Sequence, residues 1–121
     1  MQADIRRIII VEAHRLRSGR CPVQVHSLGT GETFDIRPTA DGFVDVASGL
    51  TVRTSPGHIL LTDTQGTIDL HLTGDVAFDG FDHMSNEAFS GRAGGGASVT
   101  LYDSGRVDFF QYAVAAADDR L

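Results

Sequence analysis

From Pro22 onward the chain is a succession of short apolar-rich runs separated by turn-forming residues, and this rhythm constrains the fold more than any other feature. The runs are "VQVHSL", "ETFDIR", "FVDV", "LTVRT", "HILLT", "TIDLHL", "DVAFDGF", "ASVTLYD" and "RVDFFQYAV". Between them stand "GTG", "TADG", "ASG", "SPG", "TQG", "TG", "GGG" and "DSG". Evenly spaced runs with glycine-containing separators, and no helical spacing between them, are the signature of antiparallel strands. A mainly β fold is expected over residues 22–114: an antiparallel β-sandwich, roll or barrel of about eight to nine short strands. No sequence repeat and no linker interrupts the series.

Alternation within the runs sets the facing. In "TIDLHLT", Ile68, Leu70 and Leu72 point one way and Asp69, His71 and Thr73 the other. Val99 and Leu101 share a face opposite Tyr102. "RVDFFQYAV" places Val107 and Phe109 on one side and Phe110, Tyr112 and Val114 on the other. A strand apolar on both faces is expected to be covered twice, by the N-terminal segment or by a second copy in a homodimer. "YDSGRV" just before it reads as a tight hairpin.

The N-terminal segment, "DIRRIIIVEAHRLRSGRCP", carries two patterns. Ile5, Ile8, Ile9, Ala13 and Leu16 recur at helical spacing, Asp4 stands where a cap would, and Gly19 followed by Pro22 makes a stop. Against these, Ile8, Ile9, Ile10 and Val11 are four β-branched residues in a row, which suits a strand. The caps favour an N-terminal α-helix over residues 4–18. Residues 1–20 hold five Arg against Asp4 and Glu12, a charge of +3, so the remainder carries −9. A basic helix seated on an acidic body is the expected arrangement.

At 121 residues the chain fits one domain, residues 1–121, with 115–121 as a tail that frays or forms a short helical turn. A domain of this length buries roughly two thirds of its unfolded surface and needs no disulfide or zinc staple. The single Cys21 points to a reducing, cytoplasmic setting. No apolar run approaches the roughly 18 residues of a membrane span. All ten basic residues are Arg, a bacterial-like composition, so Schiff-base, P-loop and Ser-Lys lysine chemistry is excluded. A net charge of −6 disfavours nucleic acid and anionic membrane as partners.

The densest chemistry lies in "DVAFDGFDHMSNEAF", where Asp75, Asp79, Asp82, His83 and Glu87 fall close together. The carboxylate spacing departs from the EF-hand rhythm, and His83 is the only soft ligand within reach. Asp82, Ser85 and Asn86 are turn residues by habit, so a connecting loop is the first expectation. Asp79, Asp82, His83 and Glu87 stand as metal-site candidates beside it. Asp69 and His71, on one strand face, form a second candidate pair, because a carboxylate can orient an imidazole. No Gly-x-Ser-x-Gly elbow occurs, Cys21 has no close histidine in sequence, and "AGGGA" lacks the following helix of a phosphate cradle. No catalytic residue, cofactor or cofactor-binding residue is assigned.

Together these features favour a small acidic β domain acting as a non-catalytic binding or assembly module, its partner another protein or a second copy. The alternative is a metal-binding protein or enzyme with its site on the sheet face or in the 75–87 loop.

Overall fold

The computed structural model describes residues 1–117; of the expected tail, residues 118–121 lie outside the described part. Among the described residues one helix, α1 (Ala3–Ser18), precedes ten strands. These are β1 (Gln24–Ser27), β2 (Thr33–Pro38), β3 (Gly42–Asp45), β4 (Leu50–Ser55), β5 (His58–Leu61), β6 (Gly66–Thr73), β7 (Ala77–Asp82), β8 (Glu87–Ala93), β9 (Ser98–Asp103) and β10 (Asp108–Ala115). Each strand pairs antiparallel with its sequence neighbours, and β1 pairs with β10 to close an up-and-down barrel.

The helix fills that barrel. Every residue from Ile5 to His14 is buried, and α1 touches β3, β6, β8, β9 and β10 around the ring. Eight strands enclose about the space that side chains alone can fill; ten leave room for a central element. A helical turn apolar on all sides is a buried one, which explains Ile8, Ile9, Ile10 and Val11, all without exposed surface. Burying an Ile side chain contributes about 1.5–3 kcal/mol. Its weak helix propensity costs at most about 0.7 kcal/mol. Burial wins. Gly19 ends the helix at φ 79°, its N–H bonded to the Arg15 carbonyl at 2.9 Å. Asp4, expected as the cap, instead lies in the first turn, where its charge suits the dipole; the N-cap is Gln2, without a side-chain cap bond.

Inward positions follow the expected alternation: Ile68 and Leu70 from β6, Val99 and Leu101 from β9, and Tyr112 and Val114 from β10 all enter the core. The tenth strand is β8, "EAFSGRA", a stretch outside the nine expected runs. Its Glu, Ala, Ser and Gly are poor strand formers, and aromatic packing compensates. In register, Phe78 of β7 faces Gly91 of β8, and Gly80 of β7 faces Phe89 of β8. Each ring covers the opposite glycine, and the two rings meet at 6.4 Å. A Cβ at Gly91 would run into the Phe78 ring and the Thr100 carbonyl oxygen.

The hairpin loops repeat a geometry that no sequence repeat announces. Loops 28–31, 46–49, 62–65, 83–86 and 104–107 each close four residues, all at one end of the barrel, called here the hairpin pole. The fourth residue is left-handed in every case: Gly31, Gly49, Gln65, Asn86 and Val107. The helix starts at this pole, since its C-terminus leads into the far end of β1.

Candidate functional site

The acidic stretch that opens "DVAFDGFDHMSNEAF" is divided by the wall between outside and inside. Asp79 points outward from β7, in register with His71 and Ser90. Asp82 points inward and is fully buried, accepting the Met84 N–H at 2.9 Å and the Ser85 hydroxyl at 2.6 Å. It caps its own turn. Glu87, first in β8, also faces inward, 3.1 Å from the Met1 amino group. His83, next to the inward Asp82, turns outward onto the sheet face.

There it meets Asp69. The Asp69 carboxylate lies 2.7 Å from His83 Nε2 and 3.0 Å from His58 Nδ1. It is thus oriented toward His58 and His83, not toward His71, its expected partner. The hydrogen bond with His83, joined by that with His58, holds the Asp69 carboxyl below its usual range despite slight burial. His58 was invisible in the sequence because its contact depends on the β5–β6 register, His58 opposite Asp69. The trio is exposed, and Asp69 takes a different imidazole at each oxygen. Among the described residues no three His, Cys, Asp or Glu side chains are arranged to hold a metal ion.

Most of the buried charges gather at the hairpin pole. Asp45, Asp82 and Asp103 end β3, β7 and β9, all inward and all buried. Arg7 of the helix grips Asp45 with two nitrogens, at 3.1 and 2.7 Å, while Ser48 donates to the same carboxylate at 2.6 Å. Arg6 donates to Asp103 at 3.2 Å and to the Met1 carbonyl at 2.7 Å. Burial would raise the Asp103 carboxyl, but the Met1 amino group and Arg6 together hold it below its usual range. The expected basic helix on an acidic body is found in a tighter form, with the guanidiniums inside.

Beside these pairs lies a crevice of about 470 Å³ between the helix start, the first hairpin and β10. Arg6 and Arg7 form its floor, each stacked on an aromatic ring: Phe110 lies 3.9 Å from the Arg6 guanidinium and Phe34 4.0 Å from that of Arg7. Tyr112 joins them, its hydroxyl pKa raised by burial and only partly offset by Arg6. Leu28, Thr30 and Phe109 form the mouth. In the sequence Phe109, Phe110 and Tyr112 stood out only as a strand apolar on both faces, and Arg6 and Arg7 only as part of the basic helix; nothing there joined them in one crevice. The unbroken apolar run from Ile8 to Val11 beside the two arginines was the available signal of their burial.

Outside this pole the chemistry is muted. Burial pushes the Cys21 thiol up to about 11, so little thiolate forms near neutrality. Glu12 is buried against Arg15, its pKa raised by desolvation against the opposing pull of the guanidinium. No protein-family model, curated protein or solved structure matches this chain.

Proposed function

We propose that this chain is a non-catalytic binding or assembly module whose working end is the hairpin pole. The carrying observation is where apolar surface is left uncovered. Among the described residues, Leu28, Val46, Met84, Val107 and Phe109 are exposed at this pole, against only Leu72 and Val76 among large apolar side chains elsewhere. Val107 is the sharpest case. It is 75% exposed and held at φ 53°, a conformation that disfavours β-branched residues and that glycine adopts freely. Stability alone would not select valine there, whereas a contact surface would.

The partner is another protein or a second copy. Outward strand positions carry Asp35, Arg37, Arg53, Asp69 and Arg92, unlike the apolar band of a lipid-facing wall. The acidic charge weighs against nucleic acid, and the lone cysteine supports assignment to the cytoplasm.

The homodimer is the form to test first. Val107→Gly should raise stability by up to about 1 kcal/mol by relieving the left-handed strain, while weakening self-association at least about fivefold through lost apolar contact. Chemical denaturation and light scattering read the two effects. A wild-type chain that stays monomeric at every accessible concentration removes the homodimer. If calcium, zinc or manganese raises the thermal midpoint, and His83→Ala abolishes the rise, the site moves to the sheet face.

A further inference from the structure

We infer that the hairpin pole receives a second copy of this chain about a two-fold axis, with Val107 of each copy entering an apolar socket on the other. This rests on the hairpin pole being the contact end, and it specifies the partner and the pose.

The socket is a cavity of about 620 Å³ between the helix start and the turns that join β5 to β6, β7 to β8 and β9 to β10. Ile5, Leu50, Leu61 and Met84 give it an apolar lining. An apolar recess rimmed by polar residues marks a contact site. Val107 is the matching protrusion. It adjoins Arg106, a residue of the socket's rim, and its high exposure means that it does not fill the socket of its own chain.

Charge follows the same scheme. Asp4, from the first turn of α1, and Arg106, from the β9–β10 turn, line the same cavity, and among the described residues neither has an ion-pair partner. The surface thus holds a protrusion with its recess and an acid with its base, which makes it complementary to itself. Two-fold contacts require such a surface, because whatever one copy offers the other must receive. In the pair, Val107 fills the opposite socket while Arg106 meets the opposite Asp4. Like charge opposes the approach: Glu32, Asp63 and Asp108 are exposed at the same pole. Glu32 and Asp108 line the other crevice rather than the socket, and salt screens exposed charges beyond roughly 8 Å at physiological strength.

Charge reversal tests the pose, read by analytical ultracentrifugation. Asp4→Arg and Arg106→Asp, each alone, should weaken self-association about tenfold, since each turns two exposed attractions into repulsions. Mixed in equal amounts, the two variants should associate with each other as tightly as wild type, because every acid then meets a base across the interface. Thr64→Trp, at the exposed rim of the socket, should weaken association by a similar factor by filling the recess, and it carries the test if Asp4→Arg fails to fold. If Val107→Gly weakens association but the mixture does no better than its components, or Thr64→Trp associates like wild type, the inference is overturned and the pole remains the contact end. Recovery in a chain carrying both reversals, without recovery in the mixture, would place the pair within one chain and overturn it equally. If Val107→Gly leaves association unchanged, the contact end is elsewhere and both readings fall. A wild-type chain that is monomeric at every accessible concentration removes the second copy as occupant and leaves the pole to a different protein.

Discussion

Asp45 and Asp69 are both bonded by nitrogen groups, and their surroundings give the two carboxylates opposite weight. Asp45 has no exposed surface and receives two guanidinium nitrogens of Arg7, itself nearly buried. Asp69 lies a third exposed between two imidazoles that are more exposed still. Removing one member of a buried pair strands the other in a poor solvent, so Asp45→Ala should cost about 3–5 kcal/mol. Asp69→Asn should cost under about 1 kcal/mol, because water screens the pair. Urea unfolding of both variants checks the contrast, and equal losses would refute the view that Arg7 and Asp45 form an internal tie. The sheet-face trio then appears as surface chemistry, and the polar interior as the part that fixes the helix in register with the wall.

At the scale of elements, β7 and β8 show how a strand can form where local preference argues against it. Their cross-strand pairing replaces side-chain bulk at two glycines by two rings reaching over from the opposite strand. Gly91→Ala should destabilise by about 1–3 kcal/mol, the range for overpacking a filled site. Gly96→Ala, in open space, should change stability by less than about 0.5 kcal/mol. Thermal melts of the two variants distinguish packing from a general intolerance of glycine loss. The same pair marks where sequence stopped being informative. Alternation in "TIDLHLT" and "ASVTLYD" was enough to orient β6 and β9, because one face of each is plainly apolar. "EAFSGRA" has a single large apolar residue, and its place in the sheet depends on Phe78, more than ten positions earlier. The helix end was readable from its stop signal at Gly19, but the helix's interior position was not. That position depends on ten strands closing, which no local window contains. The crevice was hidden for the same reason: Arg6, Phe34 and Tyr112 are far apart in sequence and meet only after closure.

As a whole, the molecule is an acidic sleeve around a basic axle: residues 1–20 carry +3 and the remainder −9. Isolated helices of this length are marginal in water, and four consecutive β-branched residues weaken this one further. The axle should therefore owe its shape to the sleeve. Its only covalent tether to the wall is residues 19–23, at the end of the barrel opposite the hairpin pole. If that tether were severed, nothing but packing and charge would hold the first eighteen residues in place. The chain is then a natural pair of complementing fragments. A peptide of residues 1–20 should be disordered alone. Mixed with residues 23–121 it should become helical and restore a cooperative melt, followed by circular dichroism. Recombination should slow as salt is added, because opposite charges steer the two pieces together.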